Sequence, residues 1–250
     1  MDIRPSVPAP GPRRASASGH AVFGTRLRLE ILVGTTRPTR AADAVVPWVE
    51  RRAREHGAFD VELLDLRQWR LPLFQEHLGS LGDPSDPDYS EPVVKAWNAT
   101  MKGADALLVV TAEYLHSVPG VLKNALDSVF ASFALRNKPM AAVGYSGGVA
   151  AGVRAIEHLA HIAIEAEMVP LRNTVLIPYV GQAFGESGDP LDSRTEAAMA
   201  ILLDDLAWWA SALSSARASG ELPPASVRLR AAGRRQPGAA IRDGRVPGGR

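Results

Sequence analysis

Residues 105–127, DALLVVTAEYLHSVPGVLKNALD, decide the fold of this chain. The run DALLVVT (105–111) is continuously apolar rather than alternating, which is typical of a parallel strand covered on both faces. A short loop follows and leads into a helical pattern. Pro119 is expected as the first helical residue and Ser117 as the cap of that helix. A strand, a loop and a helix in this order form the repeating unit of an α/β protein.

The same alternation continues through the middle of the chain. The other predicted strands are 27–33, 60–66, 139–145 and 173–178. The predicted helices are about 42–56, 91–102, 119–134, 149–166 and 193–214. Five strands with intervening helices predict a doubly wound parallel sheet with helices on both faces. Pro47 lies inside the first helical pattern, where it should kink the helix or delay its start, and Gly57 should end it.

The two ends of the chain have a different composition from the middle. Residues 1–25 and 218–250 are rich in Pro, Gly, Ala, Ser and Arg without periodicity, so both are expected to be disordered tails. Residues 26–217 are expected to form one domain.

Composition excludes several classes of function. The 250 residues carry a formal net charge of +1, which gives no overall field favouring nucleic acid or an anionic membrane. The absence of cysteine excludes disulfides, thiolate metal sites and dithiol redox chemistry, so any redox reaction needs a cofactor. No apolar run is expected to reach the length of a membrane helix, and the N-terminus lacks a signal-peptide core. The expected location is therefore the cytoplasm.

Three loops follow predicted strands and are expected to meet. They are GTTRPTR (34–40), AEYLHSVPG (112–120) and SGGVAAG (146–152). In open α/β sheets, ligands bind beyond the carboxyl ends of the strands, near the point where the strand order reverses. The three loops are therefore the predicted binding site.

The first loop has the residue types that bind a phosphate monoester. Gly34 permits a tight turn, three threonines offer hydroxyls, and Arg37 and Arg40 offer charge-assisted hydrogen bonds beside a helix N-terminus. The loop lacks the Gly-Lys-Ser/Thr of a Walker A motif and the G-x-G-x-x-G of a dinucleotide site. An ordinary polar turn with surface arginines remains the alternative.

The other two loops are suited to a flat ligand. Backbone groups of residues 113–117 can face a ring, and Ser146-Gly147-Gly148 offers a platform with few side-chain atoms. A plain strand-to-helix connection also needs small residues and is the alternative interpretation of each.

These motifs resemble the NADPH-dependent FMN reductase family, a flavodoxin-like group that includes quinone, azo-dye and chromate reductases. The resemblance runs from about Arg28 to Leu213. The family motif G-S-x-R-x-x-S corresponds to Gly34–Arg40, and the longer T-P-E-Y-N-x-S-x-P-G-x-L-K-N-A-x-D corresponds to Thr111–Asp127. LPLFQE (71–76) matches a third segment. The resemblance implies the flavodoxin-like strand order 2-1-3-4-5.

The resemblance also implies which residues contact FMN. The phosphate would be bound by Thr35, Arg37, Thr39 and Arg40. The isoalloxazine ring would be edged by Glu113, Tyr114, Leu115 and His116 on one side and by Ser146, Gly147 and Gly148 on the other. In this chain Ala112, Leu115 and Arg40 replace the Pro, Asn and final Ser of the motifs.

The activity implied by the resemblance is ping-pong hydride transfer from NADPH or NADH through FMN to a quinone, azo compound, free flavin or similar acceptor. No protein residue is assigned to acid–base chemistry. A homodimer or homotetramer, formed through the helices after the third and fourth strands, is also implied. A flavodoxin-type electron carrier and a non-catalytic flavin-binding sensor remain alternatives. A signalling receiver domain is excluded, because no acidic cluster follows the first strand.

Overall fold

The computed structural model describes residues 26–77 and 79–234. The predicted N-terminal tail, 1–25, and the end of the predicted C-terminal tail, 235–250, lie outside the described residues. Six strands are present in the described part of the chain, and all pair in parallel: β1 Leu27–Val33, β2 Phe59–Asp65, β3 Ala106–Ala112, β4 Pro139–Tyr145, β5 Val169–Pro170 and β6 Val175–Ile177.

The sheet has the order β2-β1-β3-β4-β5, and β6 also pairs with β4. The predicted order 2-1-3-4-5 is confirmed. The predicted fifth strand, 173–178, differs in detail because its position at the sheet edge is shared by two short strands. β5 pairs with the start of β4 and β6 with its end. Between them Asn173 leaves the ladder, and its side-chain amide donates to Asp205 Oδ2 at 2.6 Å.

Seven helices lie in the described part of the chain. They are α1 Ala42–His56, α2 Leu66–Trp69, α3 Pro92–Gly103, α4 Gly120–Asp127, α5 Val153–Glu165, α6 Ser193–Ala218 and α7 Ala225–Arg234. α4 is shorter than predicted, and a separate 3₁₀ turn, Phe130–Ser132, follows it. α5 begins later than predicted because Gly152 adopts a φ of 87° before its first turn.

The sheet separates two apolar layers. α1 and α6 cover the face that carries Leu29, Ile31 and Val143, while α3, α4 and α5 cover the face that carries Leu32 and Val109. All five of these strand side chains are fully buried. Burial on both faces explains why the strands read as continuous apolar runs, and it fixes the strand ends that carry the three loops.

α6 corrects the expectation that no apolar segment reaches membrane length. Within the described residues, this 26-residue helix alone is long and apolar enough to span a membrane by length and composition. Leu202, Leu203 and Leu206 are buried in the layer beside α1. The apolar composition of α6 thus contributes to the core.

Two local features of the helices also bear on the predictions. Pro47 lies inside α1, which nevertheless begins at Ala42, so its start is not delayed; Gly57 ends the helix with a φ of 81°. α7 lies within the segment 218–250, for which no regular structure was expected. Its Ala, Leu and Arg residues favour a helix. The prediction missed this helix because it was based on the Pro and Gly content of the whole segment.

Candidate functional site

The three loops that follow β1, β3 and β4 meet in one cleft of about 270 Å³. The cleft lies at the carboxyl ends of these strands, at the edge where the sequence analysis placed the site. Its lining residues are Arg37, Thr39, Arg40, Ala41, Ala112, Glu113, Tyr114, Tyr145, Ser146, Gly147 and Val180.

The N-terminus of α1 faces this cleft without a side-chain cap. Ala41 occupies the cap position and provides no hydrogen-bonding side chain. Among the backbone hydrogen bonds of the described residues, none is donated by the amides of Thr36, Arg37, Thr39 or Arg40. Uncapped amides at the positive end of a helix dipole are a suitable site for an anion.

Arg37 and Thr39 are the exposed polar side chains of the first loop in the cleft. The Arg37 guanidinium lies over the ring of Tyr114, with 3.7 Å between its central carbon and the ring centroid. This cation–π contact joins the first loop to the second across the cleft. It places a positive charge beside the uncapped amides.

Arg40 has a different role from Arg37, because its guanidinium is nearly buried and already paired. Its Nη1 donates to Asp65 Oδ1 at 2.7 Å and its Nε donates to Asp43 Oδ1 at 2.9 Å. Nη1 also donates to the carbonyl of Thr35. Burial acts to raise the pKa of Asp65, but hydrogen bonds from Arg40 and from the Arg67 amide outweigh it and leave the pKa below its ordinary value. Arg40 therefore fixes the first loop to the end of β2.

Thr35 is fully buried beneath the cleft. Its hydroxyl lies 3.3 Å from the hydroxyl of Tyr145, at the end of β4. Burial raises the pKa of Tyr145 to about 12, so this phenol stays protonated near neutral pH. The two hydroxyls connect the first and third loops from below.

Residues 114–117 form a tight turn with an unusual backbone. The Tyr114 amide donates to the Ser117 carbonyl at 2.9 Å, and the Ser117 amide donates to the Tyr114 carbonyl at 3.0 Å. The two central residues, Leu115 and His116, have φ values of 48° and 62°. Two consecutive positive φ angles define a type I′ turn, which favours Asn and Gly and is strained for leucine. The Leu115 side chain is fully exposed, so packing within the chain does not offset this strain.

The N-terminal turn of α5 holds the second loop in place. The buried carboxylate of Glu113 accepts a hydrogen bond from Arg154 Nε at 2.6 Å and another from the Arg154 amide at 3.3 Å. Arg154 Nη1 also lies 3.2 Å from His116 Nε2. Sequence reasoning missed Arg154, since its partner lies 41 residues away.

Ser117 does not cap α4, which corrects the sequence prediction. Its hydroxyl instead lies 2.8 Å from His158 Nδ1 on α5. Pro119 occupies the cap position with an extended ψ of 140°, and Gly120 is the first residue of the helix. The cap prediction failed because α5 offers Ser117 a partner that is distant in sequence.

Gly147 and Gly148 form an open platform at the third loop. A Cβ atom built on either glycine would have no neighbouring heavy atom within 4 Å. The Ser146 hydroxyl donates to the Gly148 carbonyl at 2.9 Å, which shapes the loop. The space above these glycines can therefore accept a ligand edge.

Most of the predicted site residues come together in this cleft. Seven line it directly: Arg37, Thr39, Arg40, Glu113, Tyr114, Ser146 and Gly147. Leu115 and His116 lie in the turn beside it, Gly148 follows the lining residues of the third loop, and Thr35 lies underneath. The sequence analysis did not identify Ala41, Tyr145 or Val180 as lining residues. Ala41 could have been identified from the sequence, because it lies between a basic loop and a helical pattern and has no side chain that can cap the helix.

The fold and the cleft together define the class of flavodoxin-like α/β proteins. FerB of Paracoccus denitrificans, a flavoenzyme NAD(P)H:(acceptor) oxidoreductase, superimposes with a TM-score of 0.60 at 21% sequence identity, covering 74% of this chain and 97% of FerB. This likeness shows the fold.

The chain belongs to the NADPH-dependent FMN reductase family, whose model matches residues 27–182. It is 33% identical over 152 residues to an NAD(P)H-dependent FMN reductase of Pseudomonas aeruginosa, covering 60% of this chain and 77% of the relative. A 2-hydroxy-1,4-benzoquinone reductase of Burkholderia is 30% identical over 143 residues, covering 56% and 74%. The chain is thus an oxidoreductase with FMN as cofactor and NAD(P)H as co-substrate.

Proposed function

We propose that this enzyme binds FMN in the cleft between the three loops and uses NAD(P)H to reduce a quinone, an azo compound, a free flavin or a similar small acceptor. The observation that carries the proposal is the pairing of two features in one cleft. The uncapped start of α1 lies beside Arg37, and the open platform at Gly147 lies in the same cleft.

The phosphate of FMN is assigned to the first loop. Amides at the start of α1 would donate to it, and Arg37 and Thr39 would add side-chain hydrogen bonds. Arg40 is assigned to holding the loop rather than to binding phosphate, because Asp65 and Asp43 already accept from its guanidinium. Thr35 is assigned to the buried base of the loop, because it is fully buried and its hydroxyl already contacts that of Tyr145.

The ring of FMN is assigned to the second and third loops. Backbone groups of residues 113–116 would lie along one edge, and Ser146, Gly147 and Gly148 would lie along the other. Arg154 holds Glu113 and so fixes the orientation of the second loop. Tyr145 lies beneath the cleft, where its hydroxyl contacts that of Thr35 and supports the first loop.

FMN held by these three loops would supply the redox chemistry between NAD(P)H and the acceptor. The protein binds and orients the reactants in an open cleft, and no acid–base residue is assigned. A quinone is the first acceptor to test, since a relative is named as a benzoquinone reductase.

The test combines binding with turnover. Purified protein stripped of flavin should quench FMN fluorescence on titration with one site per chain. With FMN bound, the protein should oxidise NADPH only slowly when oxygen is the sole acceptor. Addition of a quinone or an azo dye should raise the rate of NADPH oxidation clearly above this background. The absence of any FMN binding in this titration would rule out the proposal. FMN binding without any NAD(P)H oxidation would instead favour the electron-carrier or sensor alternatives.

We also propose that the enzyme forms a homodimer or homotetramer in the cytoplasm through α4 and α5. On and before α5, Val149, Val153 and Ile164 are exposed apolar side chains in the described structure. Light scattering coupled to gel filtration should give a mass of at least two chains. A single-chain mass at micromolar concentration would exclude this assembly.

A further inference from the structure

α6 and α7 carry two exposed surfaces that are not packed against the described part of the chain. We propose that α7 of one copy of this chain docks on the outer side of α6 of a second copy, and that the second copy returns the same contact. This contact sets the assembly of the protein and does not depend on FMN binding. α6 covers the face of the sheet opposite α4 and α5, so the contact is separate from the interface proposed above.

α7 is a short helix that lacks packing of its own. It has 10 residues, and every one whose burial the structure describes is exposed. Isolated helices shorter than about 12–15 residues are only marginally stable in water. A helix of this length is therefore expected to be stabilised by a partner. One side of it combines small, apolar and basic residues at helical spacing, and this docking face consists of Ala225, Arg228, Leu229 and Ala232.

The outer side of α6 has a complementary composition. Exposed residues on successive turns form an outer stripe, which consists of Ala197, Ile201, Asp204 and Trp208. Ile201 and Trp208 are 51% and 64% exposed. The ring of Trp208 meets that of Trp209 edge to face, with 5.2 Å between the centroids. The two rings present a large apolar surface, and tryptophans are frequent anchors of protein interfaces.

Asp204 and Arg228 give the two surfaces opposite charges. The Asp204 side chain is 77% exposed, although one of its oxygens lies 3.1 Å from His56 Nε2. Arg228 is exposed, and its Nε donates to the Pro223 carbonyl at 3.0 Å, which holds the guanidinium at the first turn of α7. The outer stripe and the docking face can therefore meet with opposite charges, which would fix the register of the contact.

The same difference in charge extends over the whole chain. Residues 228–250 contain seven of its 28 basic residues and one of its 27 acidic residues. This segment therefore carries a formal charge of +6, whereas residues 1–227 carry −5. The net charge of +1 does not reveal this division. A basic arm and an acidic body attract each other when two copies meet.

The linker between α6 and α7 favours a contact between copies over one within a copy. Asn137 Nδ2, just before β4, donates to Glu221 Oε1 at 2.7 Å and holds the start of the linker. Gly220 has a φ of 114°, and Pro223 and Pro224 restrict the chain just before α7. With this linker, α7 and the outer stripe of its own α6 both stay exposed. Short linkers of this kind favour the exchange of an element between two copies.

The contact is self-complementary, because each copy has both surfaces. Two such contacts related by a two-fold axis form a closed pair. Together with a two-fold interface through α4 and α5, they would generate a tetramer with a different interface on each face of the sheet. Loss of the α7 contact should therefore divide the assembly into halves.

The first test is the mass of the full chain, measured by light scattering coupled to gel filtration. Trp208→Ala and Arg228→Asp should each raise the Kd of the pair at least about tenfold, so that the mass halves at low micromolar concentration. Arg230→Asp is the matched control, because it makes the same change of charge on the opposite side of α7 and should keep the wild-type mass. Thermal unfolding checks that each variant is folded. An unchanged mass of the first two variants, or a wild-type protein of single-chain mass, would overturn the inference.

A mixing experiment tests the pairing of the two charges. Asp204→Arg should also halve the mass, because the introduced arginine would face Arg228 of the second copy. An equimolar mixture of the Asp204→Arg and Arg228→Asp proteins should recover the wild-type mass, since every contact between the two variants joins opposite charges. Docking of α7 on its own α6 would give no recovery on mixing. A mixture that stays at half the mass would therefore overturn the inference.

The α4–α5 assembly and FMN binding are tested apart from this contact. Val153→Asp, at an exposed position on α5, should halve the mass by itself and give single chains when combined with Trp208→Ala. If Val153→Asp has no effect and Trp208→Ala gives single chains, the α4–α5 interface is excluded and the α7 contact is supported. FMN affinity should be unchanged in the Trp208 and Arg228 variants, since these residues are not among those that line the cleft.

An anionic membrane is the other surface that a basic helix could bind. Co-sedimentation with phosphatidylglycerol vesicles measures this directly. If Arg228→Asp keeps the wild-type mass but lowers co-sedimentation, α7 is assigned to a membrane and the inference is overturned. A halved mass with unchanged co-sedimentation supports the contact between copies.

Discussion

At the scale of single residues, the two arginines of the first loop have separate roles. Arg40 is nearly buried and paired with Asp65, while Arg37 is exposed and lies over Tyr114. Their positions in the motif do not distinguish them, since the partner of Arg40 lies 25 residues away in the sequence. Arg37 is therefore the arginine that the proposed function assigns to the phosphate.

Arg37→Ala should weaken FMN binding by about 10- to 100-fold, the usual value of a hydrogen bond to a charged group. Riboflavin lacks the phosphate, so its affinity should change little. Fluorescence titration of both flavins measures the difference, and Arg172→Ala, an exposed arginine outside the cleft, is the control. If Arg37→Ala weakens FMN and riboflavin equally, Arg37 acts on the ring or on the loop instead of the phosphate.

Leu115 stores strain at the edge of the cleft, because its φ of 48° is unfavourable for a fully exposed leucine. Leu115→Asn should stabilise the protein by roughly 0.5–1 kcal/mol, since Asn tolerates the left-handed conformation. The control Leu115→Ala should change stability little, because alanine retains the strain and no packing is lost. Urea unfolding measures both variants. A destabilised Leu115→Asn protein would show that the turn is not strained in solution.

At the scale of elements, the loop between β4 and α5 contains glycines with opposite functions. Gly147 has open space around it, whereas Gly152 has a φ of 87° and a Cβ there would lie 2.6 Å from the Tyr145 nitrogen. Gly152 is required for the fold and Gly147 is available to a ligand. The sequence analysis treated the loop as one platform and could not separate these roles.

Gly147→Val should leave the melting temperature of the flavin-free protein within about 2 °C of wild type, because the added methyl groups enter open space. FMN affinity should fall at least tenfold, since the same methyl groups occupy the proposed ring site. Differential scanning fluorimetry and FMN titration measure the two effects. Gly233→Val on α7, which also has open space, is the control. Normal FMN binding by the Gly147→Val protein would show that the FMN ring does not lie against this loop.

The elements themselves were largely predictable from the sequence, and their partners were not. Apolar runs and glycines located β1, β3, β4 and the end of α1, because local periodicity determines them. Ser117 and Glu113 bond to α5, about 41 residues further along the chain, and no local pattern indicates such a pairing. The predicted fifth strand is two short strands, β5 and β6, in the structure. This division depends on their pairing with opposite ends of β4, which no local pattern indicates.

At the scale of the whole molecule, two buried ionisable groups lie away from the cleft, Glu30 in the middle of β1 and Lys138 just before β4. Burial and the nearby Glu62 raise the pKa of Glu30 to about 7, and Arg28 offsets part of this effect. Burial lowers the pKa of Lys138 to about 7. The Lys138 ammonium donates to the carbonyls of Met101 and Lys102 at 2.8 and 2.7 Å. Both groups make stability depend on pH.

Glu30→Gln should stabilise the protein at pH 8 by about 1–3 kcal/mol, with little effect at or below pH 4.5. The pKa of Glu30 is higher in the folded state than its ordinary 4.5. The cost of ionising it in the folded protein is therefore absent below 4.5, grows between 4.5 and about 7, and is complete above 7. Urea unfolding at several pH values measures this difference.

The exposed Glu157→Gln, on α5 and far from Glu30, is the control for that experiment and should change stability by less than about 0.5 kcal/mol at each pH. Lys138 acts in the opposite direction, since its lowered pKa makes its cost complete below about 7 and absent above 10.5. A Glu30→Gln gain that does not vary with pH would show that folding does not raise the pKa of Glu30.

With FMN bound at the bare start of α1, as proposed, the lifetime of the chain would depend on the supply of vitamin B2. A ligand that completes a helix start binds the native form and not the unfolded one, so at a concentration of 100 times Kd it adds about 2.7 kcal/mol to the stability. Cells starved of riboflavin would then hold more of this chain in states that proteases can cleave. Its abundance would follow the availability of its prosthetic group even at a constant rate of synthesis.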